Sequence, residues 1–507
     1  MSPRPATPAG RLGVIRRFRR LLAARALPIA RRVAAASPAR PPGDAGAAEV
    51  LASEVLPLLA AARFLEREAR FWLRPQKLGT RGRPLWLTGS RAVIHRVPHG
   101  LVAVIAAGNY PLLLPGVQVL QALAAGNDVA LKPAPAGVEA ARWLCELLGE
   151  AGLPPGALRV TGSAVEDAGP LLSGPDAADL VLVTGGERAA AAVAEACARR
   201  LVPCVIEASG CDAAFVLAGA DLGLAASAVA WGLRLNGSQT CIAPRRVLVD
   251  AAVGEGLEAE LCRALPAGRR VPVDPAAMAA AAPRIEAALA AGARAVRGSW
   301  TPGAADAEPY VIVDADPSME LLRTDSFAPV TAICAGLAGP DGLVDADAAC
   351  PYALGASVFG PAREASALAG RLRAGVVVVN DLIAPTADPR LPFGGTGSSG
   401  HGVTRGAEGL IAMTRPRVLI RRGGAFRPHY LPPADADAPA FAALAAGLHG
   451  EGLLRRLRSL KAALPGLKAI ADRGKAAGGS GSGAPLATED AAPQEREAEA
   501  EAFARLG

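Results

Sequence analysis

Histidine is scarce in this 507-residue chain: there are 5, and none adjoins a cysteine. The 8 cysteines (Cys145, Cys197, Cys204, Cys211, Cys241, Cys262, Cys334, Cys350) form no CxxC pair and no metal-ligand spacing. A zinc site is therefore not expected, and no metal is assigned. Scattered cysteines in a large chain point to a reducing, cytoplasmic setting. No apolar stretch reaches the ~20 residues of a membrane span, and the Arg-rich N-terminus lacks the continuous apolar core of a secretory signal. Aromatic residues make up only 4%. None interleave with the basic clusters in the manner of a nucleic-acid surface, so no nucleic-acid partner is expected.

What is present is an ordinary globular balance, 51% hydrophobic and 20% charged, long enough for two or three cores. The net charge of +7 lies largely in the tails. Residues 1–45 alternate Pro and Ala with basic clusters such as Arg16-Arg17-Phe18-Arg19-Arg20 and read as a basic disordered arm. A short basic amphipathic helix on an anionic surface is the alternative. From Ala47 to Leu73 apolar residues recur at helical spacing. Pro84–Leu87 and Ala92–Val97 read as a hairpin.

Leu101–Ala106 is a continuous apolar run, as in a strand buried on both faces of a parallel sheet. Helix Val117–Ala125, strand Val129–Leu131, helix Val138–Glu150, strand Leu158–Thr161, strand Leu180–Thr184 and helix Arg188–Arg199 follow. This alternation predicts a doubly wound nucleotide-binding sheet. After Glu207 the pattern starts again, with helix Leu222–Leu235 and strands at Arg246–Val249, Tyr310–Val313, Phe327–Ile333 and Val376–Asn380.

Three stretches carry chemistry. Asn236-Gly237-Ser238-Gln239-Thr240-Cys241 sets one thiol in a small polar turn, and a free cysteine is only a few per cent thiolate at neutral pH. Gly108-Asn109-Tyr110-Pro111-Leu112 places an amide at a strand end. Val205-Ile206-Glu207-Ala208-Ser209-Gly210 closes an apolar strand with a carboxylate. Asn109, Glu207 and Cys241, in that order, resemble the motifs of the aldehyde dehydrogenase superfamily. Further matches stand at Leu131-Lys132-Pro133, Phe327-Ala328-Pro329-Val330 and Pro392-Phe393-Gly394-Gly395, and the likeness runs from about Ala47 to Arg422. Arg427-Pro428-His429-Tyr430-Leu431-Pro432-Pro433 is similar to the tail of the branch that oxidises fatty and aromatic aldehydes.

The resemblance implies an α/β fold with two doubly wound Rossmann-like domains and a small β oligomerisation arm. The dinucleotide-binding domain would span 46–206, with a bridging hairpin at about 83–98. The catalytic domain would span 207–414, and residues 415–424 would form the closing strand of the arm. A C-terminal extension, 425–507, would carry an amphipathic helix at about 452–464 and a flexible acidic tail. That helix rests either on a membrane surface, as a peripheral contact, or on the protein body.

The resemblance also implies an NAD(P)-dependent enzyme that oxidises an aldehyde to the acid. Cys241 would be the nucleophile and Glu207 the base that activates water against a thioester. Asn109 would join the Cys241 N–H as oxyanion donors. Lys132, Gly185, Gly186, Asp325 and Phe327 would hold NAD or NADP. Pro135 replaces the usual glutamate for the adenosine ribose, so the choice between NAD and NADP stays open. Thr240, Ile242, Leu112 and Leu113 would line a pocket for a hydrophobic aldehyde, in a homodimer or tetramer. Two alternatives remain: an acyl-transferring relative using coenzyme A, and a non-catalytic scaffold.

Overall fold

The computed structural model describes residues 8–84, 87–423 and 427–478. Two compact units emerge, one comprising residues 1–75 and 95–417, the other residues 76–94 and 418–507. The first unit holds both predicted sheets.

The first sheet has six strands in the order Gly400–His401, Cys204–Glu207, Leu180–Thr184, Leu101–Ile105, Asp128–Lys132, Leu158–Val160. All pairings are parallel except that of the Gly400–His401 edge. Because side chains alternate across a strand, each strand feeds two cores. Val102, Val104, Val129, Leu131 and Leu182 face one; Ala103, Ala130, Val181 and Val183 face the other. Helices Leu113–Ala125 and Val138–Glu150 cover the first face, and helix Glu187–Arg200 the second. The second sheet has seven strands in the order Arg294–Arg297, Tyr310–Val313, Val330–Leu337, Arg246–Asp250, Ala213–Val216, Gly355–Phe359, Val376–Val379. It too is parallel apart from the Arg294–Arg297 edge. The α/β, doubly wound expectation holds.

The N-terminus does not follow the sequence reading. Residues 8–35 form helices Pro8–Ala24 and Ala26–Ala35. Leu12, Ile15, Phe18 and Leu22 form an apolar stripe at helical spacing and are buried in the first core. The basic cluster is tied down: Arg19 pairs with Glu66, Arg25 with Glu150, and Arg17 Nε donates to Ala151 O at 2.6 Å, capping the end of helix Val138–Glu150. Burial of that stripe overrides the tendency of the flanking proline and glycine toward disorder.

Residues 43–72 form one helix with a wide turn at Leu51–Val55. By length and composition alone it is apolar enough to cross a membrane, which the search for long apolar runs missed. Its Leu58, Ala61, Ala62, Leu65 and Ala69 are buried in the first core, which accounts for that composition.

In the three-stranded sheet, Gln76–Leu78 pairs antiparallel with Ser90–Pro98, and Thr414–Arg422 completes it. Gln76–Leu78 was not foreseen as a strand; of the strand expected at 84–87, Leu85 and Trp86 lie outside the described residues. The strand expected at 415–424 is found at Thr414–Arg422. The C-terminal amphipathic helix runs Leu453–Gly478 and packs on a helix, Asp437–His449, that the sequence reading did not foresee. Most of the expected acidic tail lies outside the described residues.

Candidate active site

Four parallel strands of the first sheet present their carboxyl ends to one cleft of about 540 Å³. This is the edge where open α/β sheets bind ligands, because helix N-termini and strand-end loops converge there. The strands deliver, respectively, Ala106–Asn109, Lys132, Thr184–Gly186 and Glu207–Ser209. Gln239, Cys241, Asp274 and Phe327 come from the part of the chain that follows Glu207. Seven of the eight predicted site residues therefore line one cavity: Asn109, Lys132, Gly185, Gly186, Glu207, Cys241 and Phe327.

Glu207 ends its strand with its side chain 3% exposed. Its backbone is pinned from both sides, Gly185 N donating to Glu207 O at 3.1 Å and Gly400 standing opposite in register. Neither carboxylate oxygen has a hydrogen-bond partner among the described residues. Burial raises its pKa above the ordinary carboxylate range, and nearby Arg405 and then the Thr404 hydroxyl, which lies close by but outside hydrogen-bond geometry, partly offset this. The Cys241 thiol is likewise pushed well above its ordinary value, first by burial and then by the charges of Glu207 and Asp212. Asn109 Nδ2 donates to Gln239 O at 3.1 Å, two residues before the cysteine, while Asn109 Oδ1 is buried without a partner. One amide N–H remains for a ligand in the cleft.

The cysteine turn is built from left-handed backbone. Asn236, Gly237 and Ser238 have φ of 52°, 56° and 66°. Asn236 holds the two chemical loops together: its Nδ2 donates to Asn109 O at 2.8 Å, and its N–H donates to Glu49 Oε1 at 2.7 Å. Glu54, wholly buried, accepts from Leu112 N and Leu113 N at 2.7 and 3.1 Å. Arg40 Nη2 lies 2.7 Å from Glu54 Oε1 and Arg40 Nη1 lies 3.6 Å from Glu49 Oε1. Sequence reading found none of Arg40, Glu49 or Glu54. Paired carboxylates on an apolar helix were the available signal.

Three expectations fail. Asp325 does not line the cleft: its Oδ1 accepts from Arg245 Nε at 2.8 Å and from Phe327 N at 3.0 Å, and its side chain is 3% exposed. The neighbouring guanidinium claims the carboxylate. Thr240 and Ile242 turn inward, Thr240 Oγ1 2.6 Å from Tyr110 Oη, and Ile242 against Leu354 and Phe393. Leu112 and Leu113 are core residues, and Leu114 lines the cleft instead.

A dinucleotide fits these residues. Lys132 Nζ uses one donor on Ser163 O at 2.9 Å, leaving others for hydroxyls. Gly186 caps helix Glu187–Arg200, and nothing lies within 4 Å of where its Cβ would stand, so a phosphate can approach the helix N-terminus.

The family model described as "Aldehyde dehydrogenase family" matches residues 6–419. The chain belongs to this family. As a member it is an NAD(P)-dependent aldehyde dehydrogenase, and the match takes in the N-terminal helices that the sequence reading had set aside. A "4,4'-diapolycopene aldehyde oxidase" from Methylomonas sp is 31% identical over 385 residues, covering 73% of this chain and 70% of that protein. The crystal structure of a Mycobacterium tuberculosis aldehyde dehydrogenase complexed with NAD+ aligns with a TM-score of 0.75 at 26% identity, covering 82% of this chain and 86% of that one. An NADP-dependent glyceraldehyde-3-phosphate dehydrogenase from Bacillus halodurans C-125, complexed with NADP, aligns with a TM-score of 0.75 at 27% identity, covering 82% and 87%.

Proposed function

We propose that the protein oxidises a hydrophobic aldehyde to its carboxylic acid, with Cys241 as nucleophile, Glu207 as base and Asn109 as oxyanion donor. The observation that carries this reading is the buried, unpartnered Glu207 carboxylate sharing one cleft with Cys241 and Asn109. A carboxylate of raised pKa beside a thiol can take up a proton at neutral pH. The Cys241 thiolate adds to the carbonyl carbon and the new oxyanion receives the free Asn109 amide N–H. Bound NAD or NADP supplies the hydride acceptor, leaving an acyl group on Cys241 as a thioester. Glu207 passes that first proton to solvent and then removes a proton from water as it attacks the thioester; the C–S bond breaks and the departing sulfur takes up the proton from Glu207, releasing acid and thiol. The retained base favours water over coenzyme A as acyl acceptor.

The mostly apolar lining of the cleft (Ile105, Ala106, Leu114, Val183, Phe327) and the diapolycopene aldehyde in the Methylomonas relative's name support an apolar substrate. Lys132, Gly185, Gly186 and Phe327 are the proposed dinucleotide contacts. A homo-oligomer is proposed through the edge strand Thr414–Arg422, whose Val418 and Ile420 are exposed. Peripheral membrane contact is proposed at helix Leu453–Gly478, where Leu453, Leu454, Leu457 and Leu464 are exposed among arginines and lysines. A cytoplasmic setting accords with eight free thiols.

The test is a stopped-flow assay with NAD and NADP in parallel against medium-chain aliphatic and aromatic aldehydes. Wild type should give a burst of reduced cofactor followed by turnover. Cys241→Ser should give no burst. Absence of both burst and dinucleotide binding in wild type would favour the scaffold alternative.

A further inference from the structure

The turn that carries Cys241 contains two non-glycine residues in left-handed backbone, Asn236 and Ser238, with φ of 52° and 66°. Side chains other than glycine disfavour this region because Cβ crowds the following carbonyl. Such a conformation persists only when its surroundings over-determine it. Asn236 is held by Glu49 and by its own side-chain bonds. Ser238, wholly buried, has both its hydroxyl and its carbonyl held by Arg245.

Arg245 is 2% exposed and grips Ser238 twice, Nη1 donating to Ser238 Oγ at 2.7 Å and Nη2 to Ser238 O at 2.6 Å. The same guanidinium reaches the opposite loop, donating to Asp325 Oδ1 at 2.8 Å and to Ala328 O at 3.0 Å. Between those two contacts stands Phe327, itself left-handed at φ 47° and lining the cleft. Its N–H donates to the same Asp325 oxygen, and its ring centroid lies 5.9 Å from Arg245 Cζ.

The geometry points to Arg245 as a positioning residue: we infer that it clamps the cysteine turn to the Phe327 loop and so sets where the Cys241 thiol stands in the cleft. The fork shape of a guanidinium is what the task requires, since four bonds diverge from one plane to two loops. Asp325 serves as its counter-ion and as the acceptor that orients Phe327, which explains why that carboxylate is withheld from the cleft. This inference rests on the proposed nucleophilic role of Cys241 only for its kinetic consequence; the placement of the thiol can be measured without turnover.

The test compares Ser238→Ala, Ser238→Gly, Arg245→Lys and the double variant Ser238→Gly/Arg245→Lys in the full chain. Two readouts are taken beside the melting temperature: the rate at which iodoacetamide alkylates Cys241, followed by mass spectrometry, and the burst rate of reduced cofactor at saturating aldehyde. Ser238→Ala loses the Oγ anchor and keeps the backbone strain, whereas Ser238→Gly loses both. Arg245→Lys and Ser238→Ala should raise the alkylation rate as the turn loosens and lower the burst about 10- to 100-fold, the scale of a misplaced reacting group. Ser238→Gly should remain near wild type and should restore most of the loss in the double variant, because glycine takes the left-handed conformation without the clamp. Alkylation and burst unchanged in Arg245→Lys would overturn the inference. So would losses that follow the melting temperature and are not relieved by Ser238→Gly. If wild type gives no burst at all, the aldehyde-oxidising reading fails and the alkylation rates alone decide the clamp.

Discussion

At the residue scale, the charge of Glu207 adds to burial in raising the pKa of the Cys241 thiol, and this makes two effects of the carboxylate separable. Glu207→Gln should leave a burst of reduced cofactor but slow steady-state turnover by about 10²–10⁴-fold, the usual worth of a positioned base. The same change removes a negative charge that holds the Cys241 pKa up. The thiolate then forms at lower pH, and the rising limb of the burst rate against pH should move to lower pH. An unshifted limb would mean that the two groups do not face each other as described. Wild-type burst should itself climb as pH rises through the raised thiol pKa. Asn109→Ala should cut the burst rate about 10²–10³-fold with little effect on dinucleotide binding. A loss of binding instead would assign Asn109 to the cofactor.

At the element scale, residues 40–54 buttress the reaction centre. Arg40 neutralises Glu49 and Glu54, and those carboxylates hold the backbone of Asn236 and of Leu112–Leu113. Arg40→Met strands the buried Glu54 and the partly buried Glu49, a change that typically costs ~3–5 kcal/mol for a broken buried pair. A clear drop in melting temperature is expected, with a smaller drop when Glu54→Gln is added, since the amide still accepts one N–H at no charge cost. Phe18→Ala in helix Pro8–Ala24 should destabilise by ~3–5 kcal/mol, measured by denaturant unfolding. A disordered arm would give no change.

At the scale of the whole molecule, the cleft draws on the chain before and after Glu207, Lys132 and Gly186 from the one part and Cys241 and Phe327 from the other. A dinucleotide that touches both parts binds only the folded protein. It should therefore stabilise by about 2.7 kcal/mol at a hundredfold excess over its Kd. Thermal unfolding of Cys241→Ser with NAD and NADP in turn reads this without turnover. The cofactor giving the larger shift at equal concentration is the one the cleft prefers. Pro135, which opens a short turn where a carboxylate would contact the adenosine ribose, predicts that NADP is not rejected.

The sequence by itself determined the elements whose residues have only one physical use. Leu180–Thr184, Val138–Glu150 and Tyr310–Val313 were legible to the residue, because an unbroken apolar run or a capped amphipathic stretch admits one reading. Asn109, Glu207 and Cys241 were legible because local motifs carry them. Tertiary structure decided the rest, and for one reason: a charged side chain's role depends on what lies opposite it. Asp325 looked like a ribose ligand until Arg245, 80 positions away in sequence, proved to hold it. The basic cluster at Arg16–Arg20 looked solvent-bound until Glu66 and the end of helix Val138–Glu150 met it. Such partners are distant in sequence and leave no periodicity, so only the packed molecule brings them together.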